Sequence, residues 1–107
     1  VEDKTQIFKS FKISGYDIQV IYDNHILTER NNAGEYTHKT QTIRLASGLT
    51  KQMTSEVLMH EILEAIDSIY NLKLNHDGQL NILSIALHQI FSDYPEFLCI
   101  DPREGRN

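Results

Sequence analysis

In the first half of the chain, apolar residues recur at every second position. Tyr16, Ile18, Val20 and Tyr22 alternate with Asp17, Gln19 and Ile21, the period of a half-buried strand, and Phe8, Phe11 and Ile13 precede them across a Ser14-Gly15 turn. Ile13 to Tyr22 therefore reads as a strand or hairpin. Asp23 to Gly34 has only Ile26 and Leu27 as anchors among polar residues and ends in Asn31-Asn32-Ala33-Gly34, which predicts a loop. Gly34 to His38 and Gln41 to Leu45 flank Lys39-Thr40 and predict two short strands about a tight turn, with Ser47-Gly48 stopping the second.

The second half changes period. No Gly or Pro intervenes between Thr50 and Gly78, and Met53, Val57, Ile62, Ile66, Ile69 and Tyr70 recur at helical intervals. With Thr50 or Thr54 as N-cap, they predict a helix of about five turns. Asn71 to Gly78 breaks it. Leu80, Leu83, Leu87, Ile90 and Phe91 mark a second amphipathic helix that ends before Tyr94-Pro95. Strands followed by helices predict an α+β fold: a small, mainly antiparallel sheet with two helices packed on one face. A chain of 107 residues with 40% hydrophobic content suits a single domain, 1–107, whose Asp101 to Asn107 tail is expected to fray.

Charge and cysteine content narrow the function classes. Fifteen acidic against ten basic residues give a net charge of −5, with the Lys and Arg scattered, which argues against a nucleic-acid backbone binder and favours a basic partner surface. One cysteine, Cys99, permits neither an intramolecular disulfide framework nor a cysteine-rich zinc site, and its Phe97-Leu98-Cys99-Ile100 setting predicts a buried, inert thiol. The expected setting is the cytoplasm. No apolar run approaches the roughly 18 residues of a membrane span, and Val1 to Lys12 does not resemble a signal peptide.

The chemically informative stretch is Leu58-Met59-His60-Glu61-Ile62-Leu63-Glu64-Ala65-Ile66-Asp67. On a helix, residues four apart share a face, so His60 and Glu64 can reach a common point while Glu61 lies on the adjacent edge. A neutral imidazole and a carboxylate are both zinc donors, and a catalytic zinc takes three protein ligands and a water. Glu61 stands where it could take that water's proton. The competing reading is an ordinary solvated acidic face formed by Glu56, Glu61, Glu64 and Asp67. His25 and His38 read as surface residues. Tyr36 reads either as packing or as a group that could polarise a substrate carbonyl.

His-Glu-x-x-Glu differs by one residue from the His-Glu-x-x-His motif. Together with Glu35 to Leu45, Ser55 to Ile66, Leu72-Lys73-Leu74-Asn75-His76 and Ala86 to Glu96, it resembles the small zincin-type metallopeptidases of phages and prophages over most of the chain. The resemblance implies a short sheet whose edge strand precedes a metal-binding helix, one zinc ion, and a further ligand from beyond that helix. It places His60 as first ligand, Glu61 as general base and Glu64 as second ligand. Where related zincins carry a glutamate on the following helix, this chain has Ile85, which cannot bind metal. His76 is the favoured substitute and His88 its rival, although His76 could equally be a loop or capping residue and His88 a partly buried structural histidine.

The resemblance implies hydrolysis of a peptide bond, with an extended peptide or protein substrate aligned along the edge strand near Tyr36 to Arg44. Glutamate as second ligand adds negative charge and should weaken the Lewis acidity of the metal. A second expectation is therefore a degenerate zincin that binds a host or phage protein. A third is a metal-free interaction module.

Overall fold

The computed structural model describes residues 6–96, with side chains from Lys9 onward. The expectations for Cys99 and for the Asp101 to Asn107 tail lie outside the described residues. Strand β1 (Gln6–Ile13) turns at Ser14 and Gly15 into β2 (Tyr16–Asp23), and the two pair antiparallel. Both turn residues have positive φ, 49° and 88°, as a two-residue hairpin turn matching the strand twist requires, and the second of them is glycine.

The segment expected to be a loop contains a short helix, α1 (Ile26–Arg30). An Asp23 side-chain oxygen accepts the His25 N–H at 2.8 Å just before it, and Ile26 is fully buried. Five residues with one apolar anchor are too few to display a helical period, so the sequence pattern passes over them. Asn31, in the left-handed conformation, ends α1.

Strand β3 (Gly34–Thr37) and strand β4 (Thr42–Ala46) form the second expected hairpin, whose turn is closed by the Gln41 N–H donating to the His38 carbonyl at 3.2 Å. The sheet order is β1-β2-β4-β3. Its two outer pairings are antiparallel, as expected, but the central β2–β4 pairing is parallel, so the sheet is mixed. The segment containing α1 and β3 supplies the crossover that a parallel pair needs. Of this hairpin only β3 is therefore an edge strand among the described residues, with β1 at the opposite edge. β4, expected to share that role up to Arg44, is hydrogen-bonded on both sides.

Helix α2 (Lys51–Tyr70) begins at Thr50, whose hydroxyl accepts the Met53 N–H at 3.1 Å, and ends at left-handed Asn71. The capping bond satisfies one of the donors left free at a helix start. The partly buried side chains of Val57, Leu58, Ile62 and Ile69 pack on the buried cluster Ile18, Val20, Ile43 and Leu45. Each such buried side chain contributes roughly 1.5–3 kcal/mol relative to exposure. The register pairs Val20 and Tyr36 with Ile43, and Tyr22 and Gly34 with Leu45, so all of these face α2.

After α2 comes a π-helical turn (His76–Leu80) leading into α3 (Asn81–Asp93). α3 packs chiefly against α2 and the π-turn, so the expectation that both helices lie on the sheet holds only for α2. Its one buried residue is the small Ser84, while Ile82 and Ile85 are 67% and 62% exposed. A serine at the contact lets the two helices approach closely, and the apolar positions at 82 and 85 face away from the core.

Gly34 sets the distance between α2 and the sheet edge. A Cβ there would overlap Val57 Cγ1 and lie 3.1 Å from both Cγ and Oε2 of Glu61. Gly34→Ala should destabilise the fold by about 1–3 kcal/mol through overpacking, and Leu45→Ala by about 2–5 kcal/mol through loss of a fully buried side chain. Ile82→Ala should change stability by less than about 0.5 kcal/mol. Urea denaturation of the three variants checks this ordering, and parental stability in Gly34→Ala would contradict the close approach.

Candidate metal centre

The middle turns of α2 bring His60, Glu61 and Glu64 together. One donor atom from each lies within 4.8 Å of the others, and His60 Nε2 is 3.4 Å from Glu64 Oε2. Two donors on one tetrahedral zinc, each bonded at about 2.0–2.1 Å, stand about 3.3 Å apart. The pair is thus spaced as two ligands of one ion.

Glu61 is directed at the sheet edge, where Gly34 leaves room for it. It is 4% exposed, and its Oε1 has no hydrogen-bond partner among the described residues. Burial first, then the hydrogen bond with Glu64 and the negative charges of Glu64 and Glu35, push its carboxyl up to about 9. An isolated carboxylate cannot be held there without a compensating positive charge, so in the metal-free molecule Glu61 keeps its proton. Glu35 is itself engaged, 2.9 Å from Arg30 Nη1 and 2.9 Å from Asn32 Nδ2.

Of the two candidate third donors, His76 approaches this group. Its Nδ1 is 3.4 Å from Glu64 Oε1, on the opposite carboxylate oxygen from His60, and its Nε2 is 3.2 Å from Asp67 Oδ2. It lies outside the set of three whose donor atoms are all mutually within 4.8 Å. His88 Nε2 is 2.9 Å from Ser55 Oγ and 3.4 Å from Ser92 Oγ. His60 and His88 line the same cleft of about 330 Å³ between α2 and α3, with Glu56, Asn81, Ser84 and Ile85. The Tyr36 ring packs against the core, and its hydroxyl lies 3.0 Å from His38 Nδ1. His25 is exposed, 3.7 Å from Glu29.

Asp67, read from the sequence as part of a solvated acidic face or as a fourth ligand closing a structural metal site, is buried and engaged. The Leu74 N–H donates to its Oδ1 at 2.9 Å. That bond, with His76 and the Lys73 N–H, holds its carboxyl below the ordinary aspartate range against the opposing effect of burial. The available signal was its spacing, three residues beyond Glu64 and seven beyond His60 on one helical stripe.

The donor set fits a divalent cation of the zinc type. It offers imidazole nitrogen and carboxylate oxygen, and it includes a buried oxygen that no described residue satisfies. No family model matches the chain, and comparison with curated proteins and with solved structures returned no match.

The raised Glu61 carboxyl fixes the sign of a pH effect. Its contribution to metal-free stability is fully present below the ordinary glutamate range, where folded and unfolded chains are both protonated. It is lost as pH rises toward 9, because only the unfolded chain has released its proton. Metal-free protein should therefore lose stability between pH 5 and pH 8, and Glu61→Gln should flatten that slope. Urea midpoints at several pH values test this, and equal slopes in parent and variant would contradict a buried protonated Glu61.

Proposed function

We propose that this chain is a zincin-like metallopeptidase that binds one zinc ion through His60 and Glu64, with His76 as third donor and Glu61 as general base. The observation that carries the reading is the buried, unpartnered Glu61 oxygen beside an imidazole and a second carboxylate. A buried carboxyl oxygen without a partner costs stability, so its presence beside two further donor groups supports a role for the cluster beyond packing. The metal would supply Lewis acidity to a scissile carbonyl and lower the pKa of water in the site.

The chain's own residues then divide the work. His60 and Glu64 hold the ion from one face of α2, one turn apart. A dication there favours the ionised form of Glu61, which becomes competent to accept a proton from the attacking water and return it to the leaving amine. Strand β3 offers its free edge to an extended peptide beside Gly34, so that the substrate backbone can pair with the sheet. The resemblance to phage and prophage zincins and the low cysteine content support a cytoplasmic setting and a peptide or protein substrate rather than nucleic acid. Among the described residues, no helix is long and apolar enough to cross a membrane.

A second reading keeps the metal but not the hydrolysis. Ile85 provides no donor on α3, and Ile82 and Ile85 turn an apolar face outward, which favours a metal-stapled phage protein that binds a host or phage protein. Elemental mass spectrometry of untagged protein separates the outcomes when combined with a peptidase screen. One zinc per chain is expected, lost in His60→Ala and kept in Glu61→Gln, with cleavage at least 100-fold slower in the latter if Glu61 is the base. Zinc with no cleavage in the parent would favour the binding protein. Absence of zinc would exclude both.

A further inference from the structure

Asp67 lies one turn beyond Glu64 on α2, and its side chain is not needed to finish the helix. Asn71 and Leu72 already close the C-terminus by donating their N–H groups to the Asp67 carbonyl. The carboxylate instead serves the segment that follows, with Oδ1 on the Leu74 N–H and Oδ2 on His76 Nε2. Both oxygens are thereby committed within the protein.

The path between Asp67 and His76 carries independent evidence of constraint. It passes through two non-glycine residues in the left-handed region, Asn71 at φ 53° and Lys73 at φ 61°. That conformation is uncommon for a lysine and persists where surrounding contacts enforce it. The two bends return the chain toward α2, and the Asp67 bonds fasten it there. At the end of this return, the Asn75 side chain accepts the Gly78 N–H and starts the π-turn, with His76 beside Glu64.

From this geometry we infer that Asp67 is the positioning residue of the proposed centre: it accepts the Nε2–H of His76 and so presents the Nδ1 lone pair to the cation held by His60 and Glu64. The inference rests on the metal reading above. Both His76 nitrogens face carboxylates, but only Nε2 is in hydrogen-bond geometry, 3.2 Å from Asp67 Oδ2, while Nδ1 stands 3.4 Å from Glu64 Oε1. With Glu64 turned to a cation, the proton of a neutral His76 belongs on Nε2 and Nδ1 is the donor atom. A histidine ligand held by a carboxylate on its far nitrogen is fixed in ring orientation and made more basic, and loss of such a partner typically weakens metal binding 10–100-fold. Glu64 then lies between two imidazoles, with His60 3.4 Å from one oxygen and His76 3.4 Å from the other.

The test is a zinc titration of the full chain against a chromophoric chelator for the parent, His60→Ala, His76→Ala, Asp67→Ala and the Asp67→Ala/His76→Ala double variant. His60→Ala should abolish binding, and Asp67→Ala and His76→Ala should each weaken it 10–100-fold. The double variant should be no more than about twofold weaker than His76→Ala, because Asp67 acts through that ring. Equal losses from Asp67→Ala with and without His76, or no loss at all, would overturn the positioning role while leaving the metal reading intact. A parent that binds no zinc would overturn both. Should Asp67→Ala fail to fold, long-range proton–nitrogen NMR of the parent above pH 8 decides the orientation. Nε2-protonated His76 supports the assignment, and Nδ1-protonated His76 overturns it.

Discussion

The close approach of α2 to β3 at Gly34 is the constraint on which the centre depends. Because residue 34 has no side chain, Val57 and Glu61 can descend onto the start of the edge strand, and the Glu61 carboxyl is carried below the surface with one oxygen unpartnered. The same approach seats Val57, Leu58 and Ile62 on the Ile18, Val20, Ile43 and Leu45 cluster. Core formation and the desolvation of Glu61 are therefore one event. The favourable burial of the helix's apolar stripe offsets the unfavourable burial of a carboxyl on its border.

Two carboxylates of α2, on different faces of the helix, are driven in opposite directions by what faces them. Glu61 meets the edge strand and the charge of Glu64, and it holds its proton. Asp67 meets main-chain N–H groups and an imidazole, and it stays ionised. Environments that separate like groups in this way assign them different tasks. In the proposed centre the first would change charge on binding a cation, while the second is a negative group already held by the protein. His76 links Asp67 to Glu64, the neighbour of Glu61, because each of its nitrogens faces one of these two carboxylates.

Much of the fold was legible from local pattern. The alternation of Ile18, Val20 and Tyr22 and the helical recurrence of Val57, Ile62 and Ile69 each reflect burial along a single element, which a period can encode. What the pattern did not carry is non-local. Nothing in Thr42 to Ala46 says that it pairs in parallel with β2 as well as antiparallel with β3, and a five-residue helix anchored by Ile26 alone has no period to display. The site divided similarly. His60, Glu61 and Glu64 share one helix and were found by spacing. The engagement of Asp67 with Leu74 and His76 depends on a chain reversal through Asn71 and Lys73; asparagine is a residue type that ends helices, but a lysine does not announce a left-handed turn.

The parallel β2–β4 pairing bears on the order in which the molecule assembles. The β1–β2 hairpin and α2 are built from contacts near in sequence and can form early. β4 can insert beside β2 only after the chain has travelled through α1 and β3 and returned, a loop closure whose entropic cost precedes any reward. β3 is held to the sheet by β4 alone, and the pocket around Glu61 needs Gly34 of β3 against Val57 and Glu61 of α2. A cation that needs that pocket would therefore recognise the packed strand and helix together and not α2 by itself.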